Sequence, residues 1–200
     1  MSSKRVCVLG AGIIGASLAV GLARLGYEGS VVERTTPRSG PSSFGIDVRS
    51  IAITPASKDF LASLGLWNET LAERYRSMSI WEDQGVANLD FDSEDVGQTC
   101  LGWIVEAKKF QIDIWEKLNC EGVRKITDSP VALRVKEEGI ELSFNAKNLT
   151  FDFLVGADGT DSFVSAQLAI PVKKVSSSHC ALASIVKSDL DHHGVALQKF

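Results

Sequence analysis

The chain has 200 residues, 44% hydrophobic and 23% charged, with a formal net charge of −4. That is an ordinary globular balance with enough apolar residues for a substantial core, and the length allows one large domain or one domain plus part of another. The acidic balance, with no basic run or patch, argues against nucleic acid as a partner.

Val6-Cys-Val-Leu9 reads as an apolar strand running into Gly10-Ala-Gly12-Ile-Ile-Gly15. Ile14, Leu18, Leu22 and Leu25 then recur at helical spacing, with Gly26 as C-cap, and Val31-Val-Glu33 is a second strand ending in an acid. This strand, glycine turn, helix and strand is a dinucleotide-holding pattern. Gly10 makes the tight turn, Gly12 lets the backbone approach a pyrophosphate, and Gly15 lets helix and strand pack closely. The helix N-terminus offers free N–H groups and partial positive charge to the phosphates. Glu33 lies 21 positions after Gly12, where an acid that bonds a ribose hydroxyl is expected. A carboxylate there repels a 2′-phosphate, so FAD or NAD is favoured over NADP. Two blander readings compete: a purely structural βαβ unit, and an export or anchor segment, since Val6–Ala23 carries no charge and follows Lys4-Arg5. The export reading explains neither the glycines nor Glu33, and the structural reading assigns the glycines to packing alone. No other segment is long and apolar enough to span a membrane.

Thr35–Gly45 is a loop by composition, placed to lie over the ligand. Thr54-Pro55 starts a helix with Phe60, Leu61 and Leu64 as its stripe, and a short helix is expected around Asn68–Arg74. Met78–Glu82 and Val86–Phe91 read as a hairpin around Asp83-Gln-Gly85, and the acidic stretch Asp90–Asp95 as a solvated turn. Trp103–Val105 is expected to be a short strand, and Ala107–Leu118 an amphipathic helix with Phe110, Ile114 and Leu118 on one side. Val131–Val135, Ile140–Phe144 and Phe151–Val155 read as three strands. Cys7, Cys100, Cys120 and Cys180 lack CxxC spacing and are expected to be free thiols in a reducing cytoplasm, with no metal site.

Phe151-Asp-Phe-Leu-Val-Gly156-Ala-Asp158-Gly159-Thr-Asp-Ser162 is a second strand-to-turn motif followed by a helix-like segment, where the glycine admits close backbone and Asp158 can reach ribityl or ribose hydroxyls. Together the two motifs resemble the single-component FAD-dependent aromatic hydroxylases. Arg49-Ser-Ile-Ala-Ile53, Leu64-Gly-Leu-Trp67, Gly102-Trp-Ile-Val-Glu106 with Gln111 and Trp115, and the tail Ala181–Val186 with His193–Phe200 are similar to the ubiquinone-biosynthesis branch.

The resemblance implies an α/β, Rossmann-like FAD-binding βαβ fold with a parallel sheet, hairpin and meander insertions, and the start of a substrate-domain sheet. Residues 1–170 would be the FAD-binding domain and 171–200 the opening of the substrate domain. Cofactor contacts would fall to Gly10, Gly12, Gly15, Glu33, Arg49, Gln111, Val131 and Asp158. Arg49 and Gln111 would approach the pyrophosphate and ribityl region, and Val131 would offer backbone groups to the adenine. No catalytic side chain is assigned, and His179, His192 and His193 read as surface or turn residues.

The implied chemistry is FAD-dependent hydroxylation of a lipid-tailed, prenylated phenol with O2 and NAD(P)H as external donor. Contact with other ubiquinone-biosynthesis proteins and loose attachment at the cytoplasmic membrane face go with such a substrate. Two departures stand out: Ser165 stands where the family has an arginine, and family members are about twice as long. The chain is therefore expected to be an N-terminal half, inactive alone. A non-catalytic docking module and an NAD-dependent oxidoreductase are the competing functions.

Overall fold

The computed structural model describes residues 3–38, 45–175 and 178–200, so residues 39–44 of the loop expected over 35–45 lie outside the described residues. In chain order the elements are β1 (Arg5–Leu9), α1 (Ile13–Arg24), β2 (Glu28–Glu33), β3 (Ser50–Ile53), α2 (Pro55–Ser63), β4 (Ala72–Tyr75), β5 (Ser77–Trp81), β6 (Asn88–Asp92), β7 (Gly102–Glu106), α3 (Ala107–Lys117), β8 (Arg124–Thr127), β9 (Ala132–Lys136), β10 (Gly139–Ser143), β11 (Asn148–Phe151), β12 (Phe153–Gly156), α4 (Phe163–Gln167) and β13 (Val195–Lys199). They form two compact units, Met1–Ser39 with Gln111–Cys180 and Gly40–Phe110 with Ala181–Phe200.

The first unit is built on a parallel sheet of order β12-β1-β2-β8. A parallel sheet is covered on both faces, so its central strands read as near-continuous apolar runs. Alternation sends Cys7, Leu9 and Val32 to one face, where they pack with Ile126, with Leu133, Leu142, Phe144 and Phe151 from the antiparallel β9-β10-β11 meander, and with Val164. Burial pushes the Cys7 thiol up to about 12. The other face carries Val6, Val8 and Val31, all buried, beneath α1.

The α1 helix forms where its spacing predicts and stops before Gly26, but the side it buries differs from the expected stripe. Gly15, Ala16, Ala19 and Val20 face the protein, while Ile14 and Leu25 are 81% and 76% exposed. Close approach is the reason: a side chain on Gly29 of β2 would already lie 3.4 Å from the Ala19 carbonyl oxygen, leaving room only for small residues.

The strand expected over Phe151–Val155 is two strands. At Asp152 the chain leaves the antiparallel meander and enters the parallel sheet. The Asp152 N–H donates to the Arg5 carbonyl at 2.9 Å, and its carboxylate accepts the Arg5 N–H at 2.6 Å with the Arg5 guanidinium 3.6 Å away. These bonds with the Arg5 backbone and guanidinium hold the Asp152 carboxyl below the usual range. β8 went unanticipated because Arg124 and Lys125 mask the short apolar signal.

The second unit holds two three-stranded sheets, β3-β7-β4 and β13-β5-β6. α2 starts as expected, with Pro55 in the first turn and the Thr54 hydroxyl accepting the Ser57 N–H. The helix expected around Asn68–Arg74 is instead a 3₁₀ turn, Glu69–Leu71, followed by β4, which pairs antiparallel with β7. The ladder to β7 outweighs local helix propensity here. The turn is also pinned by Glu69, whose carboxylate accepts indole N–H bonds from Trp67 at 2.6 Å and Trp103 at 3.3 Å. β5 and β6 form the expected hairpin, but Asp90 and Asp92 belong to β6 rather than to a turn. Phe110, Ile114 and Leu118 are fully buried, as the amphipathic pattern of α3 implies. All four cysteines are free, Cys7 and Cys100 buried, Cys120 and Cys180 exposed. Among the described residues no helix is long and apolar enough to cross a membrane.

Candidate functional site

The carboxyl ends of all four parallel strands in the first unit open onto one crevice of about 580 Å³. Leu9 and Gly10 follow from β1, Val32, Glu33 and Arg34 from β2, Asp128–Pro130 from β8, and Ala157–Asp161 from β12, with Gly12 at the start of α1 and Gln111 from α3. This is where open α/β sheets bind ligands, because side chains there point beyond the sheet and helices begin there.

Backbone geometry ties the two glycine motifs together. Gly10 has φ +103°, and a Cβ on it would lie 2.3 Å from the Ala157 carbonyl oxygen, so the turns after β1 and β12 pack main chain against main chain. The Gly10 N–H donates to the Val32 carbonyl at 2.8 Å and the Ala157 N–H to the Leu9 carbonyl at 2.7 Å. A Cβ on Gly15 would meet the Gly10 carbonyl oxygen at 2.0 Å, which sets how tightly α1 seats on the turn. Gly12 differs: it lines the crevice, and a Cβ there meets nothing within 4 Å. No side chain caps α1 and no acid sits in its first turn, so its leading N–H groups and positive dipole end are left for an anion.

The crevice carboxylates are each committed to donors. Glu33 accepts the Ala11 N–H at 2.8 Å and the Arg34 N–H at 3.0 Å. Asp158 accepts the Ser162 hydroxyl at 2.6 Å and the Val164 N–H at 3.2 Å, while Ser162 caps α4 by accepting the Ser165 N–H. Asp128 accepts the Ser129 N–H at 2.8 Å. The Lys174 ammonium, 2.6 Å from Asp161, holds that carboxyl below the usual range. An ionised carboxylate has about four acceptor positions, so these groups keep lone pairs for hydroxyl donors. Gln111, itself lining the crevice, donates to the Ala11 carbonyl at 3.0 Å and so braces the glycine turn. The donor set fits an adenine dinucleotide: acceptors for sugar hydroxyls, and an uncapped helix start with a Cβ-free position for the pyrophosphate.

Gly10, Gly12, Glu33, Gln111 and Asp158 thus line one crevice, and Gly15 supports it from behind. Val131 is 53% exposed and donates its N–H to the Ser143 carbonyl; its neighbour Pro130 is the lining residue. Arg49 belongs to the second unit, where it is exposed, its N–H bonded to Asp47 and its carbonyl to the Ala107 N–H. Asp128, Arg34 and Asp161 were missed as lining residues. Asp128 was discoverable only by recognising β8, since it sits one residue past that strand's end. Among the described residues no cluster of three or more His, Cys, Asp or Glu could hold a metal ion. His192 and His193 lie on an exposed turn of the second unit, near Glu73 and Asp191.

A family model described as "FAD binding domain" matches residues 3–196. The chain is 28% identical over 201 residues to the 3-demethoxyubiquinol 3-hydroxylase of Escherichia coli (strain K12), an alignment covering 98% of this chain and 51% of that protein. It is 25% identical over 199 residues to the ubiquinone hydroxylase UbiL of Rhodospirillum rubrum, covering 98% and 46%. Among solved structures, PqsL of Pseudomonas aeruginosa matches with a TM-score of 0.70 at 24% identity, over 88% of this chain and 48% of that one. The 2,6-dihydroxypyridine-3-hydroxylase of Arthrobacter nicotinovorans matches with a TM-score of 0.62 at 20% identity, over 84% and 40%. At such identities the structural matches establish the fold. The chain spans about half the length of the curated relatives it matches.

Proposed function

The chain belongs to the FAD binding domain family, and from that premise we propose that it supplies the FAD-holding part of a monooxygenase that hydroxylates the aromatic ring of a prenylated phenol in ubiquinone synthesis. The observation that carries the reading is the convergence of both glycine turns, Glu33 and the uncapped start of α1 on one crevice. Likeness to two ubiquinone-pathway hydroxylases supports the substrate class.

Each residue has a task on this reading. Glu33, already oriented by the Ala11 N–H, accepts adenosine ribose hydroxyls with its free lone pairs. Gly12 leaves space for the pyrophosphate, and the leading amides of α1 receive its charge. Gln111 holds the turn in register through the Ala11 carbonyl. Asp158 fixes the turn after β12, so that backbone there meets the ribityl chain at a set distance. The roles of Arg49 toward phosphate and Val131 toward adenine rest on resemblance alone, as does the division into residues 1–170 for the cofactor and 171–200 for the start of the substrate sheet. When bound, FAD supplies the redox chemistry that brings O2 to a ring; the chain's contribution is placement and exclusion of water. NAD(P)H as electron donor, a lipid-tailed substrate, contact with other ubiquinone-synthesis proteins and peripheral membrane attachment belong to the same proposal.

The test is a titration of the purified chain with FAD and with NAD, followed by flavin absorbance and calorimetry. FAD binding that is lost in Gly12→Asp supports the reading. Binding of NAD alone overturns the cofactor assignment. Unchanged partner capture by Gly12→Asp, with no flavin bound in either form, would favour a docking module.

A further inference from the structure

The crevice is laid out in the strand order β12-β1-β2-β8. Gly12 and the uncapped start of α1 follow β1, Glu33 ends β2, and Asp128–Pro130 follow β8 at the sheet edge. A nucleotide with its phosphates at α1 and its ribose at Glu33 therefore sends its base toward the end of β8. Register brings the two strand ends close: Glu33 pairs with Thr127, and the Asp128 N–H donates to the Glu33 carbonyl at 3.0 Å. Asp128 thus stands one residue beyond, and one strand spacing of about 4.8 Å across from, the acid assigned to the ribose.

Backbone donors are used up at this end. The Asp128 N–H goes to Glu33, and the Ser129 N–H to the Asp128 carboxylate at 2.8 Å. Pro130 has no N–H. The Val131 N–H, which the resemblance gives to the adenine, donates to the Ser143 carbonyl at 2.8 Å. What the end of β8 presents instead is an acceptor, the half-buried Asp128 carboxylate, which lines the crevice. With the Ser129 N–H accepted, it keeps most of its roughly four acceptor positions. The group of an adenine nucleotide that matches an acceptor here is the 6-amino group, the one N–H donor on the base.

We infer that Asp128 is a specificity residue of the crevice, its carboxylate accepting the 6-amino group of adenine. The inference rests on the nucleotide reading of the crevice and adds to it how the base is chosen. Glu33 and the start of α1 cannot make that choice, since ribose and phosphates are common to all purine nucleotides. A hydrogen bond to a charged acceptor is worth more than one to a neutral acceptor, so the carboxylate rather than the neighbouring Ser129 hydroxyl carries the preference. The Arg34 guanidinium, which also lines the crevice, has donors alone and cannot accept from an amine.

The test is a double-mutant cycle on the full chain, read by calorimetry. Its probes are ADP and purine riboside diphosphate, which lacks only the 6-amino group. The parent should bind ADP about tenfold more tightly than the second probe. In Asp128→Ala the two probes should bind within about twofold of each other. Asp128→Asn, which keeps an acceptor oxygen, should show an intermediate preference. A purely structural role for Asp128 would weaken both probes alike and leave their ratio at the parental value. That result overturns the inference, as does equal binding of both probes by the parent, or GDP bound more tightly than ADP through its N1–H and 2-amino donors. An FAD titration of the parent separates the two readings. FAD bound together with any of those results sinks the role of Asp128 alone, whereas binding of neither FAD nor ADP overturns the cofactor assignment and this inference with it.

Discussion

Replacing Gly12 and Gly15 by alanine, one at a time, should separate ligand binding from folding. At Gly15 the added Cβ would meet the Gly10 carbonyl oxygen at 2.0 Å, well inside the 3.4 Å at which ordinary contact begins. The obstacle is backbone, so α1 has to retreat by more than an ångström from the turn. Overpacking of this kind costs about 1–3 kcal/mol. At roughly 2–4 °C of Tm per kcal/mol for a chain of this size, the expected fall is about 2–12 °C. At Gly12 the added Cβ meets nothing within 4 Å, and the backbone angles of −63° and 172° suit any residue. Lost unfolded-state freedom favours alanine by about 0.4–1 kcal/mol, and the poorer helix start costs a similar amount. The unliganded Gly12→Ala protein should therefore melt within about 2 °C of the parent. Its Cβ nevertheless occupies the space assigned to the pyrophosphate, so FAD affinity should drop at least tenfold, about 1.4 kcal/mol. Differential scanning fluorimetry without ligand and a flavin titration read the two effects apart. An unshifted Tm in Gly15→Ala, or parental FAD affinity in Gly12→Ala, would refute the reasoning.

Glu33→Gln should lower stability without ligand by roughly 1–2 kcal/mol in urea melts, because one of the Ala11 and Arg34 N–H donors then faces an amide N–H; an unchanged midpoint would count against this. Native protein should react rapidly with a thiol reagent at Cys120 and Cys180 only, with Cys7 and Cys100 released on denaturation. Rapid labelling of Cys7 would contradict its burial and its thiol held near 12. Because the Asp152 carboxyl is held below its ordinary value, its contribution is present above about pH 4 and lost as pH falls through the folded value. Asp152→Asn should therefore flatten the acid side of the stability–pH curve and leave the region near pH 7 parallel to the parent.

The sequence displayed the βαβ unit and both glycine turns because each demands residues that few other structures tolerate. Where it misled, a non-local contact outweighed a local signal. Ile14 and Leu25 mark the right period for α1, but proximity to Gly29 selects the opposite side, lined by Ala16 and Ala19. Asn68–Arg74 carries fair helix formers, and the ladder from Ala72 to Val105 holds β4 extended instead. Phe151–Val155 reads as one strand since nothing local announces that Asp152 is bonded to Arg5, 147 positions earlier. Asp158 was legible as a turn residue, whereas its bonds to Ser162 and Val164 follow from the start of α4.

The central strand β1 takes β12 as one neighbour, Val6 opposite Phe153. A nascent chain emerging at about 5–20 residues per second must hold β1 without that partner for roughly 7–30 s. During that interval an apolar strand edge stands open in the crowded space near the ribosome. Production of this protein should accordingly respond more to chaperone supply and to slowed translation than that of a chain of equal length whose neighbouring strands are consecutive.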